Sequence, residues 1–447
     1  MKRNSDQMND KFQYFLKNYQ LYYTVEDNSI QYGEGGQGNI LISQHMDDAF
    51  YESKLDINAA EVVWKEWNGV RIPFLFDQDD HEEIITQKDG YVKINYDIVA
   101  SAFYFLSGWN EYVNSQKDQY GRVSYKSSMV NQLNIINLPV VNYYFDILHS
   151  SQLKLHQQDK KKIWGDKTFG VALTHDIDTC RSAWIEGSFS ELKKKNLLSI
   201  PKLIFRRFIG KDDWFNFRII SKIDRQYADS STFYFLPQKG KSGGWANADY
   251  DIARKSIQKE ISELKDSGHE ISVHGSFGTH IDADKLKKEI ERIGTKPVLG
   301  NRFHFLMFDA EKTVSVLEAC NIKYDSTLGF AEQPGFRRGT CYPFFLYNFE
   351  KDRISEVIEI PLIVMDTTLA HPKYLGLTQD ESFEKVKPLI DEVIKFNGVL
   401  TLLWHNTYFS DYKYTGWKEV YVKILDYCKQ NNGVLTSGKA IYEKVNG

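Results

Sequence analysis

The sequence predicts an α/β protein: a distorted (β/α) barrel of about seven parallel strands, preceded by a smaller mixed α/β region. Three observations predict it. From residue 168 onward, short apolar runs alternate with longer amphipathic segments. A polar, lysine-rich stretch, "SSQLKLHQQDKKKIWGDK" (150–167), separates that alternation from a less regular beginning. Several of the apolar runs also end in Asp, His or Arg, at the end where parallel barrels place their reactive groups.

Residues 1–150 read as an accessory region, 151–167 as a linker and 168–447 as the barrel. In the first, "GNILISQ" and "GVRIPFLFD" predict strands, and "YDIVASAFYFLSGWNEYVNS" predicts a core helix from its apolar spacing. In the barrel the runs are "FGVALTHDID", "STFYFLP", "HEISVHG", "NRFHFLMF", "IKYDSTLG", "VIEIPLIVMD", "GVLTLLWHN" and "GVLTS". Helices are predicted between them. In "DIARKSIQKEISELKDSG", Ile252, Ile257, Ile261 and Leu264 recur among charges, and Gly268 suits a C-terminal cap. "DADKLKKEIERIG" is a second such segment. The units are unevenly spaced, hence the distortion.

Composition narrows the function classes. A net charge of −4 over 447 residues gives no reason to expect nucleic acid or an anionic membrane as partner. The basic run "KKKNLLSIPKLIFRRF" (193–208) reads as a solvated face. Cys180, Cys320, Cys341 and Cys428 are scattered, which argues against a disulfide framework or a structural zinc site. No stretch approaches the ~18 apolar residues of a transmembrane span, and the opening residues lack a signal-like apolar core, so a cytoplasmic chain is expected. Aromatic residues make up 14%, enough for ring-rich cores or sugar-stacking surfaces. Trp245 and Tyr408 are candidates for stacking, whereas Trp404 is expected in the core.

Strand alternation then sorts the polar residues. In "FGVALTHDID", Thr174, Asp176 and Asp178 share a face opposite Val171, Leu173 and His175, with the two carboxylates about 6–7 Å apart. The same phase turns His274 inward in "HEISVHG", Arg302 and His304 inward in "NRFHFLMF", away from Phe303 and Phe305, and His405 inward in "TLLWHN". Aspartates and histidines from separate strands suit a divalent metal with an open position, most often Zn²⁺. A remaining Asp would act as general base and a remaining His as general acid. The gapped loop "GFAEQPGFRRGTCYPF" (329–344), with Arg337 and Arg338, reads equally as a substrate-binding loop or a plain connection.

These residues together resemble the motifs of the NodB-type polysaccharide deacetylases, carbohydrate esterase family four, in a bacterial subgroup with an extra N-terminal domain. The likeness covers roughly residues 168–440 by motif order. It implies a metal-dependent hydrolase that removes acetyl groups from an acetylated sugar or glycan. By the resemblance Asp176 is the base, Asp178 and His274 are metal ligands, Arg302 orients the base, Asp325 is a supporting acid and His405 is the general acid. The usual second motif carries another His where this chain has Gly278. His280 and His304 are the two substitutes, with His304 preferred because a strand end fixes a ligand better than a loop. A binding protein on the same fold that has lost catalysis is the alternative.

Overall fold

The computed structural model describes residues 4–447 apart from 27–28, 35–37, 79–80, 89, 115, 156–159, 194, 209–211 and 411–412. Part of the expected linker, 156–159, thus lies outside the described residues. The larger part of the chain is one curled sheet with helices outside it. Its strands are β1 (Phe169–Ile177), β2 (Thr232–Phe235), β3 (Glu270–Gly275), β4 (Gly300–Phe303), β5 (Tyr324–Asp325), β6 (Phe344–Asn348), β7 (Arg353–Glu359), β8 (Val364–Met365), β9 (Val399–Leu403) and β10 (Gly433–Thr436). They run β6-β7-β5-β4-β3-β2-β1-β9-β8, and β10 also pairs with β1. Every pairing is parallel except β6 with β7.

The expected run "VIEIPLIVMD" is two strands, β7 and β8, because Pro361 cannot donate to a ladder. Residues 360–363 bridge the open side of the curl: the Ile360 N–H donates to the Asp325 carbonyl and the Ile363 N–H to that of Thr401. β1 is buried over its whole length and is the centre of the sheet. Its Val171 and Leu173 face the helices, and the parallel sheet is covered on that side as such sheets require.

The amphipathic segments form the helices Lys255–Asp266 and Ala283–Ile293. Asp282 caps the second with a hydrogen bond to the Lys285 N–H. Gly268 follows the first with φ 84°, and Ile252 precedes it.

The region before residue 168 is mixed α/β. A helix (Asn4–Tyr19) precedes a four-stranded sheet whose members include Ile40–Ile42. The predicted core helix is two, Ile98–Ser107 and Trp109–Val113, broken at Gly108. That residue has φ 74°, and a Cβ on it would lie 1.3 Å from Arg338 Nη1. The break therefore admits a side chain from the loop 329–344.

That loop is neither exposed nor a plain rim element. Arg337 makes a two-point ion pair with the buried Glu111 (2.7 and 2.9 Å), and Arg338 adds a third contact at 3.2 Å. The first helix covers the β6 edge, with the Tyr14 hydroxyl donating to the Phe345 carbonyl (2.8 Å). Tyr14, Phe103 and Tyr347 meet edge to face across this boundary, so one ring-rich core runs through both parts. The four cysteines are unpaired, and among the described residues no helix is long and apolar enough to cross a membrane.

Candidate metal centre

The alternation of β1 has a physical outcome at its C-terminal end. His175 turns outward and is fully buried there. Asp176 turns inward and meets Arg302 from β4. Arg302 Nη1 donates to Asp176 Oδ1 (2.9 Å) and to Thr174 Oγ1 (2.9 Å). Its Nε donates to the Ser326 carbonyl (2.7 Å) and Nη2 to Ser326 Oγ (2.9 Å). The Tyr234 ring lies 4.6 Å from the guanidinium. Four of the five N–H donors of this buried cation are thus committed, and Asp176 Oδ1 is held in one orientation.

Three further side chains converge beside it. His274 Nε2 lies 3.2 Å from Asp178 Oδ1 and 3.2 Å from His304 Nδ1, and the remaining edge, His304 Nδ1 to Asp178 Oδ1, is 3.5 Å. The outer nitrogen of each ring is assigned by its partner. His274 Nδ1 lies 2.8 Å from the Arg302 carbonyl and His304 Nε2 lies 3.1 Å from the Ala246 carbonyl. A carbonyl only accepts, so those nitrogens carry the protons. In the neutral rings the two inner nitrogens then present lone pairs to each other and to a carboxylate, an arrangement a cation relieves.

Asp178 Oδ1 is buried without a hydrogen bond, a second sign of a missing positive partner. A tetrahedral ion bound at ~2.0–2.2 Å holds its donors about 3.3–3.6 Å apart. The observed triangle fits.

Charge follows the same geometry. Burial works to raise the Asp178 pKa, but His304, His274 and His405 hold it well below the usual carboxylate range. Burial disfavours the His274 cation, yet Asp176 and Asp178 outweigh it and raise the pKa. His304 is pushed down to about 4, chiefly by burial. His405 sits across the site, with Nε2 3.7 Å from Asp178 Oδ2 and Nδ1 2.7 Å from Asp366 Oδ1. Its backbone N–H also donates to Asp366. Burial opposes the charge, but Asp366 dominates and lifts the His405 pKa to about 10.

The other expected residues lie elsewhere. His280, on the turn Thr279–Ile281, is outside the converging trio. Its ring packs 6.2 Å from Phe303, which points away from Arg302, so His280 is on the outer side of the sheet. Asp325 does not reach Arg302. It accepts from Asn301 Nδ2 (2.6 Å) and pairs with Glu359 on the neighbouring strand, where burial raises both carboxyls.

Two supporting residues were not foreseen. Asp366 ends the run "VIEIPLIVMD" just as Asp176 nearly ends its own, a signal that was present. Ser326 adjoins Asp325 and carried no signal of its own.

The alternation also fails after Phe303. Phe305 (φ 60°) and Leu306 (φ 55°) are left-handed, and this turns Phe305 onto the site, its ring 3.9 Å from that of His304. Arg122, from the N-terminal region, donates to the Phe305 carbonyl.

A cleft of about 290 Å³ opens over Asp176, Asp178, His274, His304 and His405. Tyr120, Trp214, Phe305, Tyr374, Tyr408 and Tyr414 line its walls. Trp404 faces away, fully buried against Trp417 and Tyr421. Trp245 packs on Tyr120 behind the wall.

Residues 6–157 match a family described only as of unknown function, DUF7033. No curated protein matches the chain. Among solved structures, a candidate polysaccharide deacetylase from Mycobacterium smegmatis is 18% identical, with a TM-score of 0.42 over 63% of this chain and 92% of that one. A family 4 acetyl xylan esterase from Clostridium thermocellum, solved with a cobalt ion, is 13% identical, with a TM-score of 0.28 over 61% and 90%. A mutant of a CE4 family pseudoenzyme is 11% identical, with a TM-score of 0.33 over 62% and 68%.

Proposed function

We propose that this chain is a metal-dependent deacetylase acting on an acetylated sugar or glycan, with Asp178, His274 and His304 as the ligands of a zinc or similar divalent ion. The observation that carries the reading is the triangle of two histidine lone pairs and an orphaned carboxylate oxygen, flanked by one aspartate clamped by arginine and one histidine clamped by aspartate. When bound, the ion supplies a Lewis acid and lowers the pKa of water.

Asp176, kept ionised and oriented by Arg302, takes the proton from the attacking water. His405, kept as the imidazolium by Asp366, gives a proton to the leaving group. An amine needs that proton more than an alcohol does, which favours N-acetyl over O-acetyl substrates. Water is consumed, and acetate and the deacetylated sugar leave. The tyrosines and Phe305 around the cleft offer ring faces to the C–H faces of a sugar.

The test is acetate release from N-acetylated oligosaccharides by chelator-treated protein before and after zinc is returned. One bound ion per chain and zinc-restored release are expected. Zinc binding without release on any acetylated sugar would favour the binding-protein alternative. Absence of both would remove the proposal.

A further inference from the structure

Seven of the eleven large apolar side chains exposed among the described residues fall between 185 and 205. They lie on two helices, Ala183–Lys193 and Ser199–Phe208, and on the connection between them; the helices pack on each other with Leu203 against Gly187. Ala183 and Leu203 are buried on the inner side. On the outer side, Ile185, Phe189 and Leu192 recur at i, i+4 and i+7, an apolar stripe turned to solvent. The connection between the helices carries Leu197 and Leu198, the latter 92% exposed, and Phe205 is 62% exposed on the second helix. A merely solvated basic face, the reading from sequence, has no use for such a stripe.

The charges around the stripe are predominantly positive. Between 185 and 208 there are six Lys or Arg against Glu186 and Glu191, in a chain of net charge −4. Both acids have partners on the protein itself, Glu186 in a surface pair with Lys413 and Glu191 with Asn196. Lys193, Lys195 and Lys202 are exposed, while Lys194 and the side chains of 206–208 lie outside the described residues.

We propose that this helical hairpin docks the protein on an anionic phospholipid bilayer, with the apolar side chains in the acyl boundary and the lysines on the headgroups. A second copy of the chain fits less well, because a two-fold contact would set one lysine-rich face against another. Glu186 lines the cleft as well, so docking brings the cleft mouth to the lipid surface. The docking itself does not depend on the deacetylase reading.

Co-sedimentation of the full chain with phosphatidylcholine vesicles, with and without phosphatidylglycerol, tests it. Binding at least about tenfold stronger to the anionic vesicles is expected. Raising salt from ~0.1 M to ~1 M, which shortens the Debye length from ~10 to ~3 Å, should weaken it several-fold. The triple variants Phe189→Ser/Leu198→Ser/Phe205→Ser and Lys193→Glu/Lys195→Glu/Lys202→Glu should each lose about tenfold or more. Their circular dichroism and zinc content should stay unchanged, since every substituted side chain is exposed. Equal affinity for both vesicle types, binding that survives either variant, or a concentration-dependent dimer broken by the serine variant would each overturn it.

Discussion

Adjacent residues of one strand, His175 and Asp176, open onto two His/Asp clusters of similar composition on opposite faces of the sheet. On the outer face, His175 Nδ1 meets the Trp404 carbonyl (2.7 Å) and Nε2 meets Asp224 (2.9 Å). Asp224 also accepts from the hydroxyls of Ser231 (2.6 Å) and Tyr421 (2.8 Å). The polar atoms of that pair have partners, and both residues are fully buried. On the inner face, the inward nitrogens of two imidazoles and the orphaned Asp178 oxygen point at one another. Residue types do not tell the clusters apart. Saturation does, because a completed network stabilises the fold and an incomplete one invites a ligand.

The sharpest way to break the comparison is to remove one carboxylate from each side. Asp178→Asn should lower zinc affinity by at least about 100-fold, measured by competition with a chelator, and abolish acetate release. Asp176→Asn should keep the zinc and slow acetate release about 10²–10⁴-fold. Asp224→Ala should reverse that pattern. Urea unfolding should show a loss of about 3–5 kcal/mol from a broken buried pair, with zinc stoichiometry unchanged.

The smallest effect is in pH. His269 joins the outer network through Ser231 and Ser221, and burial pushes its pKa down to about 4. Its folded-state pKa lies below the unfolded value near 6.5, so the unfolded chain binds the proton first. The stabilisation is therefore complete above about pH 6.5 and is lost as pH falls toward 4, with a slope of up to ~1.4 kcal/mol per pH unit. His269→Gln should flatten that part of the stability profile.

Strand phase made much of the inner cluster legible. A period of two is enough to separate Asp176 from His175 and to set Arg302 on the inner side of β4, with His304 just past the end of that strand. The phase survives only while the backbone stays extended, and this is why Phe305 was misplaced by its left-handed turn. His280 and Asp325 looked eligible by type and spacing, but a helical turn and an outward strand position put them on the far face of the sheet. Tyr120 and Arg122 reach the cleft from a region far away in sequence, a tertiary event that local pattern cannot show. Pro361 did signal the split between β7 and β8, since a proline inside an apolar run argues against a single strand.

Gly108 gives the accessory region a hold over the distant cleft. A single methyl group there would collide with Arg338 and evict it from the neighbourhood of Glu111. Arg337 shares that carboxylate, and the segment bearing both arginines also supplies Ala331 to the cleft wall. A lesion one side chain wide, remote from every cation-binding atom, would then register as impaired substrate capture.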